Sequence, residues 1–227
     1  MHRVFFSLFV LILLGCSEST IIPETTESDL HYFPVQTGQY RIYDVDEVIF
    51  TVLGSDTSHY ELKESVVDSF VNTTNSISYI VNRETRLTTS EPWSLDSVWT
   101  ARISNIQAVL VENNVNIIKL VFPIEQGLSW NGNELNSRNE KQFTYDLNVP
   151  DTTLFENQFS DGLRVVQSNI PENLINRDER FEIYAKGVGL IIKSTITLEF
   201  CQMDCPETKS IESGRIFKAT LKEYGSE

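Results

Sequence analysis

The side chains past position 30 whose chemistry is worth weighing first are two histidines, two late cysteines and several acidic strings. Nucleophilic catalysis needs an activated Ser or Cys beside a base. The chain has no Gly-x-Ser-x-Gly, Ser-x-x-Lys or His-Glu-x-x-His string. His31 and His59 lack a metal-spaced partner, so neither a general base nor a zinc site is expected. Asp44-Val45-Asp46-Glu47 and Asn131-Gly132-Asn133-Glu134 alternate oxygen donors suited to a hard cation. Neither has EF-hand spacing, and both read as solvated turns. Paired carboxylates for glycoside hydrolysis are not singled out by any spacing. No catalytic residue, metal set or cofactor is therefore expected.

Cys201-Gln202-Met203-Asp204-Cys205-Pro206 holds an even cysteine pair, which in an exported chain suggests a disulfide, with free thiols as the alternative. In a straight strand the two Cα atoms would stand about 13 Å apart, so a bond requires the chain to turn between them. Redox chemistry is disfavoured by the three-residue spacing and the absence of flanking basic groups. Trp93, Trp99 and Trp130, with Tyr40, Tyr43 and Tyr60, read first as core residues. A curved sheet with an uncovered concave face would instead turn them toward a sugar or a lipid.

One cysteine belongs to a different chemistry. Met1-His2-Arg3 is a short basic start, Val4 to Leu14 is apolar apart from Ser7, and Leu13-Leu14-Gly15-Cys16 follows. That apolar run has the length of a secretory signal and is too short to span a bilayer. The ending resembles the lipobox of bacterial lipoproteins. The resemblance implies cleavage before Cys16, a lipid on its thiol and an acylated amino group, several acyl chains making a stable anchor where one holds only marginally. Residues 17 to 30 are small, polar and acidic without an apolar period, and read as a flexible tether of roughly 20 Å root-mean-square reach.

These residues must be positioned by strands. β-branched and aromatic runs recur at Gln39 to Tyr43, Glu47 to Leu53, Ser58 to Phe70, Ser76 to Arg83, Val98 to Ile103, Ile106 to Glu112 and Val115 to Phe122. Further runs lie at Gln142 to Val149, Leu163 to Ser168, Arg180 to Ala185, Leu190 to Phe200 and Ile216 to Tyr224. Asn113-Asn114 between two such runs is a hairpin signal, because Asn tolerates the left-handed conformation of tight turns. No stretch after the signal carries a three-turn helical stripe. The fold class expected is all-β: one antiparallel domain over residues 31–227, as a curved sheet, open barrel or sandwich.

Phe33-Pro34-Val35-Gln36-Thr37-Gly38, with Tyr40 beyond, is echoed by Phe122-Pro123-Ile124-Glu125-Gln126-Gly127, with Trp130 beyond. Pro ends pairing, Gly turns the chain and the aromatic residue begins the next strand. Independent turns and a duplicated half-domain both account for the echo. The string Tyr32-Phe33-Pro34-Val35-Gln36-Thr37-Gly38-Gln39-Tyr40-Arg41-Ile42-Tyr43 resembles the start of uncharacterised Bacteroidota-type lipoproteins, typically Tyr-Phe-Pro-x-x-x-Gly-x-x-Trp-x-Tyr. Tyr184-Ala185-Lys186-Gly187-Val188-Gly189-Leu190 is similar to their late Tyr-Ala-x-Gly-Val-Gly-Leu signature. Tyr40 and Arg41 stand in the region where that family usually has Trp. The resemblance implies an exported, β-rich, anchored domain and transfers no catalytic residue.

Acidic residues outnumber basic ones by 32 to 18, for a net charge of −14. Such a field disfavours nucleic acid as a partner. The expectation is a signal peptide at 1–15, a lipidated Cys16 and tether at 16–30, and an outer-membrane protein facing the periplasm or the cell surface. Its partners are the membrane, through the lipid on Cys16, and an envelope protein or an apolar ligand. Its role is expected to be binding, structural or assembly work rather than catalysis, with a lipid carrier and an envelope hydrolase as alternatives.

Overall fold

The computed structural model describes residues 27–73, 75–205, 207 and 209–227. The signal segment, Cys16 and the tether as far as residue 26 lie outside the described residues. A one-turn helix α1 (Glu27–Leu30) precedes fourteen strands. The first six are β1 (Gln39–Thr51), β2 (Gly54–Val71), β3 (Ile77–Arg86), β4 (Ser94–Ile103), β5 (Gln107–Glu112) and β6 (Val115–Val121). Then come β7 (Ser129–Asn131), β8 (Gln142–Asp146), β9 (Thr152–Leu154), β10 (Asn157–Phe159), β11 (Leu163–Ile170), β12 (Asn176–Ala185), β13 (Gly189–Phe200) and β14 (Ile211–Ser226). No described helix is long and apolar enough to cross a membrane.

Twelve strands form one antiparallel sheet in the order β6-β5-β4-β3-β2-β1-β14-β13-β12-β11-β8-β7, and β9 and β10 make a separate hairpin. Each half of the sequence thus lays down a six-stranded meander that begins just after a Phe-Pro corner. The first strand of the first half, β1, pairs with the last strand of the second, β14. The reciprocal edges, β6 and β7, meet where Ile118 N–H donates to Gly132 O and the Trp130 indole N–H donates to Ile118 O, both at 3.0 Å. The sheet is therefore a nearly closed barrel, with the two edges bridged rather than fully laddered. Gly38 (φ 93°) and Gly127 (φ 78°) occupy the same place in the two corners, in a region of backbone space that favours glycine. This connectivity repeats in both halves, as a duplicated half-domain requires.

Alternation fixes which side chains enter the barrel. Along β1, Tyr43 and Val45 are buried, while Asp46 between Val45 and Glu47 is exposed. The Asp44–Glu47 string is therefore the middle of one long strand, not a turn between two. Asn131–Glu134 does turn the chain, and Asn131 Oδ1 accepts from the backbone N–H groups of Asn133 and Lys141. Asn113 and Asn114 adopt φ of 50° and 65° between β5 and β6, as a tight hairpin requires.

One end of the barrel is closed by the segment entering it. Leu30 and Phe33 pack against a core cluster that includes Tyr32, Leu120, Trp130 and Tyr145. Asp29 Oδ2 accepts from Ile124 N–H, and His31 O accepts from Gly187 N–H. Asp29 and Leu30, inside the expected 16–30 tether, are therefore packed against the barrel. The β9–β10 hairpin, not signalled in the sequence, places Phe159 in a second core cluster with Ile191 and Leu221. Cys201 and Cys205 are bonded, with Cα atoms 5.6 Å apart, because Asp204 (φ 54°) turns the chain between them.

Candidate functional site

Opposite the closed end, the barrel opens as a cleft of about 680 Å³. It narrows into an inner cavity of about 80 Å³. Leu62, Arg83, Trp99, Glu112, Lys193 and Phe217 border both spaces and form the neck. The cleft charges are largely paired. Arg215 Nε lies 2.6 Å from Glu47 Oε1, Tyr60 O–H donates to Glu47 Oε2 at 3.1 Å, and Arg83 bridges Glu64 and Asp96 at 3.1 and 3.4 Å. Burial and the neighbouring Glu47 carboxylate push the Tyr60 phenol up to about 12.

At the cavity floor stands a buried ionic network. Lys119 Nζ lies 2.5 Å from Glu182 Oε1 and 3.2 Å from Glu112 Oε1. Tyr184 O–H donates to Glu182 Oε2 at 2.6 Å, and Tyr43 O–H donates to Leu190 O at 3.1 Å. Lys119 and Glu182 are only 4% and 1% exposed, which makes mutual pairing the condition for either to carry charge. Burial alone would raise the Glu112 carboxyl, but Lys119 and Lys193 outweigh it and hold it at about 2. The same lysines keep Glu182 below the usual carboxylate range against its burial. Burial pushes Lys119 down, and the two carboxylates more than reverse this. Burial, then Glu182, raises the Tyr184 phenol well above its ordinary value. Glu112 and Glu182 are thus held ionised, Lys119 protonated and Tyr184 neutral around neutral pH.

Arg41, from β1, enters the cavity at the closed end and donates to Val188 O and Pro34 O at 2.5 and 2.7 Å. No carboxylate pairs with it among the described residues. The cavity lining holds four cations (Arg41, Arg83, Lys119, Lys193) against three carboxylates (Glu64, Glu112, Glu182). Asp96, in the cleft, is a fourth carboxylate through its pairing with Arg83, so the charges around the cavity balance.

Trp99 and Tyr43 line the inner cavity, and Trp99 and Tyr60 line the cleft. Trp130 sits in the wall beside Phe143 and Tyr145, with ring centroids 5.9 and 4.5 Å away. Trp93 lies under the Arg86 guanidinium at 4.1 Å. Tyr40 is on the outside, donating to Glu223. Sequence reasoning overlooked Lys119, Glu182, Glu112 and Lys193. The signal was present: Lys119 interrupts the apolar run Ile117 to Phe122, and Glu182 stands between Phe181 and Ile183.

On the outer surface, the β1–β2 register sets His59 opposite Asp46. His59 Nδ1 is 3.0 Å from Asp46 Oδ1 and Nε2 is 3.4 Å from Asp44 Oδ1. These three side chains offer ligand atoms within 4.8 Å of one another, one donor short of a protein-only tetrahedral shell. His59 thus has acidic neighbours across a strand pair, a juxtaposition that linear spacing does not reveal. The hydrogen bond to Asp46, then the Asp44 charge, raises the His59 pKa, with burial and Lys222 opposing. An NMR titration is expected to place His59 above the ordinary histidine value near 6.5. Asp46→Asn should bring it down, and an unchanged midpoint in that variant would refute the pairing.

Fold and cavity together define a class: an all-β, nearly closed antiparallel barrel with an open mouth and an interior part apolar, part ionic. No protein-family model matches the chain, and no curated protein matches it. Among solved structures it is similar to a protein of Bacteroides fragilis described as exported, with a YmcC-like fold. Identity is 11% and the TM-score 0.49, over 86% of this chain and 99% of that one. It is also similar to a protein of Parabacteroides distasonis described as a lipoprotein, at 9% identity and a TM-score of 0.42, over 86% and 98% of the two chains.

Proposed function

We propose that this chain is a lipid-anchored protein of the cell envelope, of the outer-membrane type, whose barrel is a binding module rather than an enzyme. The anchoring rests on the Leu13-Leu14-Gly15-Cys16 string, and the outer-membrane assignment on Ser17 rather than Asp after Cys16. The observation that carries the binding role is the open cleft narrowing to a cavity whose ionisable groups hold one another charged. General acid–base catalysis needs a group that titrates near the working pH. Glu112 and Glu182 are both held ionised, which favours binding over hydrolysis. A lipid carrier needs a large apolar chamber, whereas this cavity is about half the ~150 Å³ that accommodates one benzene ring.

Anchoring is tested by labelled palmitate and fractionation of the full chain. The unaltered protein is expected to take up label and stay with membranes through high-salt and alkaline washes. Cys16→Ser should abolish labelling and release the protein. Equal labelling of the two forms, or an unaltered protein that washes off, would refute the anchor.

A further inference from the structure

The β2–β3 hairpin runs past the closed end of the barrel. Gly38 N–H donates to Val66 O at 2.8 Å where the chain turns into β1, and β2 continues beyond that level to Val71, about 16 Å further. Every residue from Val67 to Val71 is exposed, so neither face of the strand is covered. Phe70, Val71 (65% exposed) and Ile77 stand at its tip. The β3–β4 register, with Tyr79 opposite Ala101, brings the β4–β5 turn and Ile106, 67% exposed, alongside. Residues 69–82 and 103–111 contain no charged side chain, in a chain that is 22% charged, so both turns lack the groups most costly to bring against hydrocarbon. Asn72 N–H donates to Ser76 O at 2.9 Å and Ser76 N–H to Asn72 Oδ1 at 3.1 Å, which satisfies these turn groups internally.

The chain from Cys16 arrives at this same end. Asp29 accepts from Ile124 N–H, and Phe122 N–H donates to Ile106 O at 2.9 Å, which sets α1 near the β4–β5 turn. Cys16 precedes Glu27 by eleven residues, a span of at most about 40 Å. β1 is 13 residues long, giving a tilted wall roughly 30–35 Å tall. A bilayer at the mouth would take up nearly all of that span, whereas a bilayer at the closed end takes up little. Val52 and Leu53 are exposed at the mouth end of β1, but the cleft there is lined by Arg86, Glu91 and Asp96. We propose that the β2–β3 tip, with Ile106 beside it, enters the interface of the membrane that holds the lipid on Cys16, so that the closed end rests on the bilayer and the cleft opens away from it. This deepens the anchored-module reading and rests on it. Apolar side chains at an interface add to the hold of the acyl chains and give the domain an orientation that the acyl chains alone do not.

The test uses the full lipidated chain in phosphatidylcholine vesicles, with an environment-sensitive fluorophore on a single introduced thiol. Cys201 and Cys205 are bonded to each other, which leaves the new thiol to react. The fluorophore on Val71→Cys and on Ile106→Cys is expected to shift to the blue and to be quenched by brominated phosphatidylcholine. On Leu53→Cys, at a 96% exposed position, it should do neither. Phe70→Glu should reduce the quenching at position 71 without lowering the unfolding temperature. Full quenching in Phe70→Glu, or equal quenching at positions 53 and 71, overturns the proposal. A blue shift at position 71 without bromine quenching assigns the tip to a second copy or another protein and overturns it too. Protein that floats with the vesicles while position 71 stays unquenched removes the docking and leaves the anchor, whereas vesicles that float without protein remove the anchor and the docking with it.

Discussion

Lys119→Met is expected to destabilise the barrel by about 3–5 kcal/mol, the cost typical of removing one partner of a buried ion pair. The lysine sits 2.5 Å from Glu182 and 3.2 Å from Glu112, and neither carboxylate gains a comparable partner when it is gone. Lys193 is left to serve both, at 3.6 and 3.9 Å. A folded domain commonly has only about 5–15 kcal/mol to lose. Adding Glu182→Gln should recover a large part of the loss, because the amide oxygen still accepts from Tyr184 and one uncompensated charge disappears. Urea unfolding midpoints of the unaltered protein and the two variants are the measurement. A single variant within about 1 kcal/mol of the parent would mean that water reaches the network and screens it.

Acid should unfold the protein through the same residues. Glu112 has a folded value of about 2, below its ordinary 4.5. The unfolded chain therefore binds the proton more readily as pH falls. The contribution of Glu112 is complete above about pH 4.5 and is lost as pH drops toward 2. At about 1.4 kcal/mol per pKa unit this amounts to about 3 kcal/mol, and the Glu112 side chain, 17% exposed, is little screened. Glu182 is displaced in the same direction and adds to the slope. Stability measured by urea at successive pH values should fall through that window, and Glu112→Gln should flatten the curve there. A curve for Glu112→Gln parallel to the parent's would show that other carboxylates govern the acid limb.

The sequence determined the all-β character and most strand positions, because strand formation and facing are local. β-branched and aromatic runs such as Ile106 to Glu112 and Val115 to Phe122 mark strands without knowledge of any other strand. The Asn113-Asn114 turn and the two Phe-Pro corners are likewise local, since their backbone angles follow from the residues that occupy them. Where charge competed with periodicity, the local reading failed: Asp44 to Glu47 looked like a turn, yet the strand continues because Asp44 and Asp46 face outward beside His59, while Val45 faces in and Glu47 is paired with Arg215 and Tyr60 in the cleft.

The site itself was decided by the tertiary structure. Lys119 and Glu182 are 63 residues apart, on strands β6 and β12 that do not pair, and they meet only because the sheet curls until opposite walls face across one interior. His59 meets Asp44 and Asp46 through the register of two strands, which no linear spacing encodes. The seam between β6 and β7 depends on the whole barrel's circumference. Sequence sets what each strand is and which side it buries; curvature and register set which buried side chains become neighbours, and a charged residue in an apolar strand is tolerated only when that geometry brings it a partner.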